Sequence, residues 1–213
     1  MDPLDEVAVR VLGSLIEKEI TTPDNYPLTL NSLTTACNQT SNRDPVLQLD
    51  EATVMQGLDH LSAHNLARGV HRSDSRVKRY RHLMTESLYL HEAESAVMCV
   101  LMLRGAQTAG EIRTRTARLF DFPDIARVDL TLQSLMTLTT PLVAELPRRP
   151  GQKEVRYAHL LSGTPQYDES DTSETDTATK VSRTDALESD VASLRAELAE
   201  LRAQFDEFRK QFQ

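Results

Sequence analysis

Six cationic side chains, Arg68, Arg72, Arg76, Lys78, Arg79 and Arg81, fall between positions 68 and 82, with Asp74 the single acid among them. Guanidinium and ammonium groups at that density repel one another unless a counter-charge is supplied, and the chemistry they suit is the holding of phosphate oxygens. The local excess of +5 runs against a whole chain whose net charge is -8. Ser73-Asp74-Ser75 suits a turn, and short runs with β-branched and aromatic residues flank it. That pattern predicts a β-hairpin with a cationic tip. A second basic tip, with Arg148, Arg149 and Lys153, follows a strand over Leu142 to Leu146 and precedes a return strand over Glu154 to Leu161.

Other chemistry is sparse. His60 and His64 stand at i, i+4 and share one helical face, but no HExxH context or third ligand accompanies them. They read as an ordinary polar face, and no metal is expected. The chain has no Gly-rich phosphate loop, nucleophile elbow, CxxC or catalytic dyad, and its seven glycines leave little material for such a loop. Neither enzymatic activity nor a cofactor is expected. Cys37 and Cys99 lie inside apolar helical patterns and read as buried thiols in a reducing compartment. No apolar run approaches the roughly 20 residues that span a bilayer. Met1-Asp-Pro-Leu-Asp-Glu6 lacks the basic and apolar parts of a signal peptide. A soluble, cytoplasmic protein is expected.

Elements that would carry the basic run precede it. Asp2-Pro3 suits the cap and first position of a helix, with Val7, Val11, Leu12, Leu15 and Ile16 on one face and an end near Ile20. A short helix over Leu30 to Asn38 follows, capped by Thr29. A third opens at Asp50 and turns Val54, Met55, Leu58 and Leu61 inward. Its outward residues, Glu51, Thr53, Gln56, His60 and His64, include no Lys or Arg, so the signal for base readout is weak, although Gln56 could read adenine.

The order then repeats. Leu90 to Leu103 reads as a helix, Thr108-Ala-Gly-Glu111 as a capping box, and Asp124 or Asp121 as the cap of a helix bearing Val128, Leu132, Leu135 and Met136. This half is more basic, with Arg113, Arg115, Arg118 and Arg127. Arg79-Tyr-Arg-His-Leu83 matches Arg156-Tyr-Ala-His-Leu160, both R-Y-x-H-L on a last strand. Tyr80 with His82, and Tyr157 with His159, share a face that reads as core, and the arginines point the other way. Helix, helix, helix and hairpin, twice over, predict an α+β, mostly helical chain: a winged-helix domain over 1–83 and a second over 84–161.

The charge is uneven. Residues 1–165 hold 18 Lys/Arg and 20 Asp/Glu, net -2, whereas residues 166–213 hold 6 and 12, net -6. Residues 162–180 are rich in Gly, Pro, Ser, Thr and acids and read as a flexible acidic linker. In 181–213, Leu187, Val191, Leu194, Leu198, Leu201, Phe205, Phe208 and Phe212 are spaced alternately by 4 and 3. That is the repeat of a coiled coil. Asp190, Glu197 and Gln204 at g against Arg195, Arg202 and Arg209 at e suit a parallel homodimer. The alternative is one amphipathic helix folded back on its own chain.

Leu12-x-x-Leu-Ile-Glu-Lys-Glu19, Thr22-Pro-Asp-Asn-Tyr-Pro-Leu-Thr-Leu-Asn-Ser-Leu33, Asn38-Gln-Thr-Ser-Asn-Arg-Asp-Pro-Val46 and Lys78-Arg-Tyr-Arg-His82 resemble the YceH family of bacterial proteins. The resemblance covers roughly residues 4–161 and implies tandem winged-helix domains without implying an activity. It draws attention to Asn42-Arg43-Asp44 and adds Arg43 to the candidate nucleic-acid contacts. The leading expectation is a non-enzymatic DNA-binding protein, a regulator or nucleoid-associated factor, that touches phosphates through Arg43, Arg72, Arg76, Lys78, Arg79, Arg81, Arg148, Arg149 and Lys153. The runner-up is a tandem winged-helix protein–protein adaptor of ScpB type, favoured by the non-basic third helix.

Overall fold

The computed structural model describes residues 2–71, 77–148, 152 and 154–164. The centres of both hairpin tips, the linker beyond Thr164 and the heptad segment from Leu187 to Phe212 lie outside these residues. The described chain is α+β and mostly helical. In order, α1 (Glu6–Thr21), β1 (Leu28–Thr29), α2 (Leu30–Cys37), α3 (Glu51–Ala63), β2 (Ala67–Val70) and β3 (Arg79–His82) are followed by α4 (Met84–Leu88), α5 (Glu92–Arg104), α6 (Ala109–Thr116), α7 (Ile125–Thr137), β4 (Val143–Leu146) and β5 (Arg156–His159). The sheets are antiparallel, β1-β3-β2 and β4-β5. No described helix is long and apolar enough to cross a membrane.

Local sequence explains most helix starts. Thr29, Asp50, Thr108 and Asp124 cap α2, α3, α6 and α7 by accepting from a backbone N–H three residues on. The first helix starts later than Asp2-Pro3 suggests. Leu4 donates its N–H to the Leu161 carbonyl at 2.8 Å, which holds the first residues out of the helix, and Asp5 becomes the cap. The helix expected over Leu90 to Leu103 begins at Glu92, and its box pairs His91 with Glu94. Two short elements carry no periodic signal: the two-residue β1 and the one-turn α4.

The two R-Y-x-H-L strands are hydrogen-bonded alike. β1 precedes α2 and pairs with β3, Leu28 opposite Tyr80. Gln107 precedes α6 and pairs with β5 at Tyr157, exchanging backbone bonds of 3.0 and 2.7 Å. The tyrosine of R-Y-x-H-L therefore receives the same kind of partner in both halves. On β3 the phase is as the repeat predicts: Tyr80 and His82 are buried and Arg79 and Arg81 half-buried. On β5 Tyr157 is buried, and His159 is half-buried with its ring Nδ1 covered.

The two halves share one core. All residues from Ala8 to Glu17 in α1 and from Glu94 to Leu103 in α5 are buried. Such helices are enclosed on all sides rather than amphipathic. α1 is flanked by α2 and α3 and also packs along α5. Gly13 permits that approach, since a Cβ there would lie 2.9 Å from Leu103 Cδ2. The Cys99 thiol donates to the Gly13 carbonyl at 3.4 Å. Apolar packing thus runs without a break across the Leu83–Met84 junction, from Leu4 through Leu161.

Candidate nucleic-acid interface

β2 and β3 position the basic run. Antiparallel register puts Ala67 opposite His82 and Gly69 opposite Tyr80 on the face turned to the core, and Arg68 opposite Arg81 and Val70 opposite Arg79 on the other. Two like charges directly opposed on adjacent strands disfavour the pairing. Glu86, in the first turn of α4, relieves it by pairing with Arg81. Arg68 is exposed. Arg79 is half-buried and donates from Nη1 to the Pro27 carbonyl at 2.8 Å, so it also fastens β3 to the segment entering β1. Lys78 is exposed, and its Nζ stands 5.3 Å from the Tyr80 ring centroid. Gly69 makes this possible, because a Cβ there would collide with Lys78 Cε. The stem crosses the strand over bare backbone and leaves the ammonium over a π face.

Sequence alone places Arg68 in the basic run without singling it out; its exposure opposite Arg81 makes it a further candidate. Arg72 and Arg76 lie outside the described residues, as do Arg149 and Lys153. Arg148 is exposed. Leu187, Val191, Leu194, Leu198, Leu201, Phe205, Phe208 and Phe212, expected from their heptad spacing to dimerise, are likewise outside.

Arg43 requires a correction. Its side chain and that of Glu17 are 0% and 1% exposed, and its Nη2 donates to Glu17 Oε2 at 2.6 Å. Nη1 reaches Glu17 Oε1 at 3.2 Å, and Nε and Nη2 donate to the Ala36 carbonyl at 3.2 and 2.8 Å. A guanidinium so engaged is withheld from phosphate, and Arg43 leaves the set of candidate phosphate ligands. Its work is to clamp the α2–α3 connection. Arg10, also buried, donates to the carbonyls of Cys37 and Pro45, and Asp44 donates its N–H to the Leu103 carbonyl at 2.9 Å. Arg10, Ser14 and Glu17 form a polar seam at i, i+4 and i+7 on α1. That spacing is the one sequence signal that could have pointed to the clamp.

The neighbouring helices are poor readers of DNA. α3 exposes Glu51, Gln56 and Asp59 and contains no Lys or Arg. His60 is bound to Asp5, Nδ1 to Oδ2 at 2.8 Å, and its ring centroid is 5.2 Å from that of His64. No group of three or more His, Cys, Asp and Glu suited to a metal is found among the described residues. On α6, Arg113 donates to the carbonyls of Phe122 and Pro123 and Arg115 to Gln107 Oε1. α7 exposes Arg127 together with Ile125 and Leu130, 48% and 57% exposed. Both cysteines are free and buried. Burial pushes the Cys37 thiol up to about 11, and Cys99 is raised by the same cause. Neither has the low-pKa character of a nucleophile.

The model of a family described as a protein of unknown function, DUF480, matches residues 4–152. The chain belongs to this family. A UPF0502 protein of Geobacter sulfurreducens is 55% identical over 163 residues, covering 76% of this chain and 74% of the relative. A UPF0502 protein of Geotalea daltonii is 55% identical over the same shares. One from Opitutus terrae is 52% identical over 161 residues, covering 75% of this chain and 70% of its own. The matched span includes α1, the α2–α3 connection and the basic hairpin.

Proposed function

We propose that this DUF480 chain is a non-enzymatic protein of two winged-helix units that binds the phosphate backbone of DNA through the β2–β3 hairpin. A helix, a backbone stretch that pairs with the last strand (β1 in the first half, Gln107 alone in the second), two helices and a two-stranded hairpin occur in that order in each half, and in such a unit the hairpin is the wing. The resemblance to the YceH family supports the same fold. One observation carries the binding reading: Arg68 and Arg81 stand opposed on the outward face of the hairpin, with Arg79 beside them and Lys78 exposed. Cations gathered on one hairpin, three arginines on its outward face and Lys78 against Tyr80 on the other, match the repeated negative charge of a backbone, which supplies affinity without sequence information. With no cation on α3, base readout has little support, and the nucleoid-associated role fits better than that of a site-specific regulator. A cytoplasmic homodimer, paired through the heptads of 187–212, completes the reading on sequence grounds.

The test is a mobility-shift assay on two unrelated duplexes. Charge reversal at Arg68 and Lys78 is expected to weaken binding to both equally. Retention of full binding in the double variant refutes the hairpin as the DNA-binding element. A second reading, a protein–protein adaptor, is favoured by one feature: the third helix of the second unit turns Ile125 and Leu130 to solvent, side chains better suited to a protein partner than to phosphate.

A further inference from the structure

An apolar cavity of about 520 Å³ opens between α4, the α7–β4 connection and the residues that follow β5. Its most deeply buried lining is Leu142 and Leu161, each 5% exposed, with Leu88, Leu138 and Pro141 nearer the surface. Backbone bonds fix that frame. Leu4 donates to the Leu161 carbonyl at 2.8 Å, Leu142 to the Leu135 carbonyl at 3.0 Å and Leu160 to the Leu142 carbonyl at 2.8 Å. The cavity is therefore preformed, and its volume falls in the range of about 300–1,000 Å³ usual for small-molecule sites. None of its described lining residues is Asp, Glu, Lys, Arg or His. A charged group entering it would lose water without meeting a counter-charge. Four hydroxyl-bearing residues stand around it instead, Ser87, Tyr89, Thr139 and Thr140, all exposed to solvent. Ser87 Oγ already donates to the Asn65 carbonyl at 2.7 Å, so it can only accept from an occupant.

Tyr89 supplies an independent observation. It caps α4 with φ 54°, in the left-handed region where a helix end usually places glycine. An aromatic residue held there carries backbone strain, a feature that gathers at functional sites. Its ring is 89% exposed, so packing within the chain does not offset that strain. The ring stands at the cavity, where an aromatic face can close over an occupant. We propose that this cavity binds a neutral small molecule with an apolar ring system and one hydroxyl or carbonyl group, which pairs with the surrounding hydroxyls. No lining residue belongs to β2 or β3, so the site is independent of the basic hairpin. Binding only the folded state, the ligand raises the melting temperature.

The test uses the full chain and the neutral probe N-phenylnaphthylamine, whose emission rises in apolar surroundings. A saturable one-to-one rise in emission is expected, with a parallel rise in melting temperature. The sulfonated counterpart of the probe, anilinonaphthalene sulfonate, is expected to bind at least tenfold more weakly. Leu138→Trp fills the cavity and is expected to abolish binding. Tyr89→Gly removes the ring and relieves the backbone, so it should melt no lower than the parent yet bind at least tenfold more weakly. A purely structural role for Tyr89 would not give that split, and the variant also serves if Leu138→Trp does not fold. Arg68→Gln with Lys78→Gln is expected to keep full binding. No saturable binding by the parent, unchanged binding in Tyr89→Gly or equal binding of the sulfonate overturns the proposal. An affinity that weakens as the chain concentration rises assigns the cavity to a second copy and overturns it as well.

Discussion

Replacing Arg43 by Ala separates a clamp from a ligand-binding cation. The Glu17 carboxylate lies at the junction of α1, the α2–α3 connection and the residues after α6, 1% exposed, with Arg43 and Arg118 as its partners. Removing Arg43 leaves that charge in the interior with only the partly exposed Arg118, and it deprives the Ala36 carbonyl of its two guanidinium bonds. Breaking a buried pair on one side costs about 3–5 kcal/mol. Against a typical total of about 5–15 kcal/mol, that is a fifth or more of the stability. Urea unfolding followed by circular dichroism measures it. The double variant Glu17→Met with Arg43→Met should recover part of the loss, since no lone charge then stays buried. A loss below about 1 kcal/mol in Arg43→Ala, accompanied by weaker duplex binding, would refute the clamp and return Arg43 to the surface.

Three further outcomes follow from the same structure. Tyr80→Ala removes a buried ring from the β2–β3 core and should cost about 3 kcal/mol or more; a thermal melt shifted by less than a degree contradicts its place there. Burial alone holds the His159 imidazole down to about 4, so the unfolded chain takes up a proton near 6.5 that the folded chain refuses until pH 4. Stability therefore falls as pH drops through that window, by up to about 3 kcal/mol from this group, and His159→Gln should show a smaller difference in urea midpoint between pH 7.5 and 4.5 than the parent; an equal difference rejects the assignment. The heptad spacing of 187–212 predicts a dimer by sedimentation that becomes a monomer on deletion of 181–213, and a full-length monomer at tens of micromolar rejects it.

Helix positions are legible because they depend on neighbours in sequence. Thr29, Asp50 and the Thr108–Glu111 box each act within one turn, and the inward periodicity of Val54, Leu58 and Leu61 survives folding unchanged. The strand phase at Tyr80 and His82 is legible because the period of a strand is fixed. What stays hidden depends on partners far along the chain. Nothing near Glu17 announces that Arg43 and Arg118, 26 and 101 residues away, will meet it. In sequence Arg43 therefore resembles any exposed loop cation, and Arg118 one more charge on a basic helix. β1 is invisible for the same reason: two residues have no period, and only β3 makes them a strand.

The charge of the first hairpin is what would hold DNA, and the salt dependence of duplex affinity tests it most directly. Fluorescence anisotropy on a mixed-sequence duplex, read from 50 to 200 mM salt, gives the slope of log affinity against log salt. Between two and six neutralised phosphates predict a slope of about -2 to -5. The variant Arg68→Glu with Lys78→Glu is expected to flatten it by about two, one unit for each phosphate no longer neutralised. No binding at 50 mM salt, or a slope unchanged in the variant, would contradict the account and leave the adaptor as the better reading.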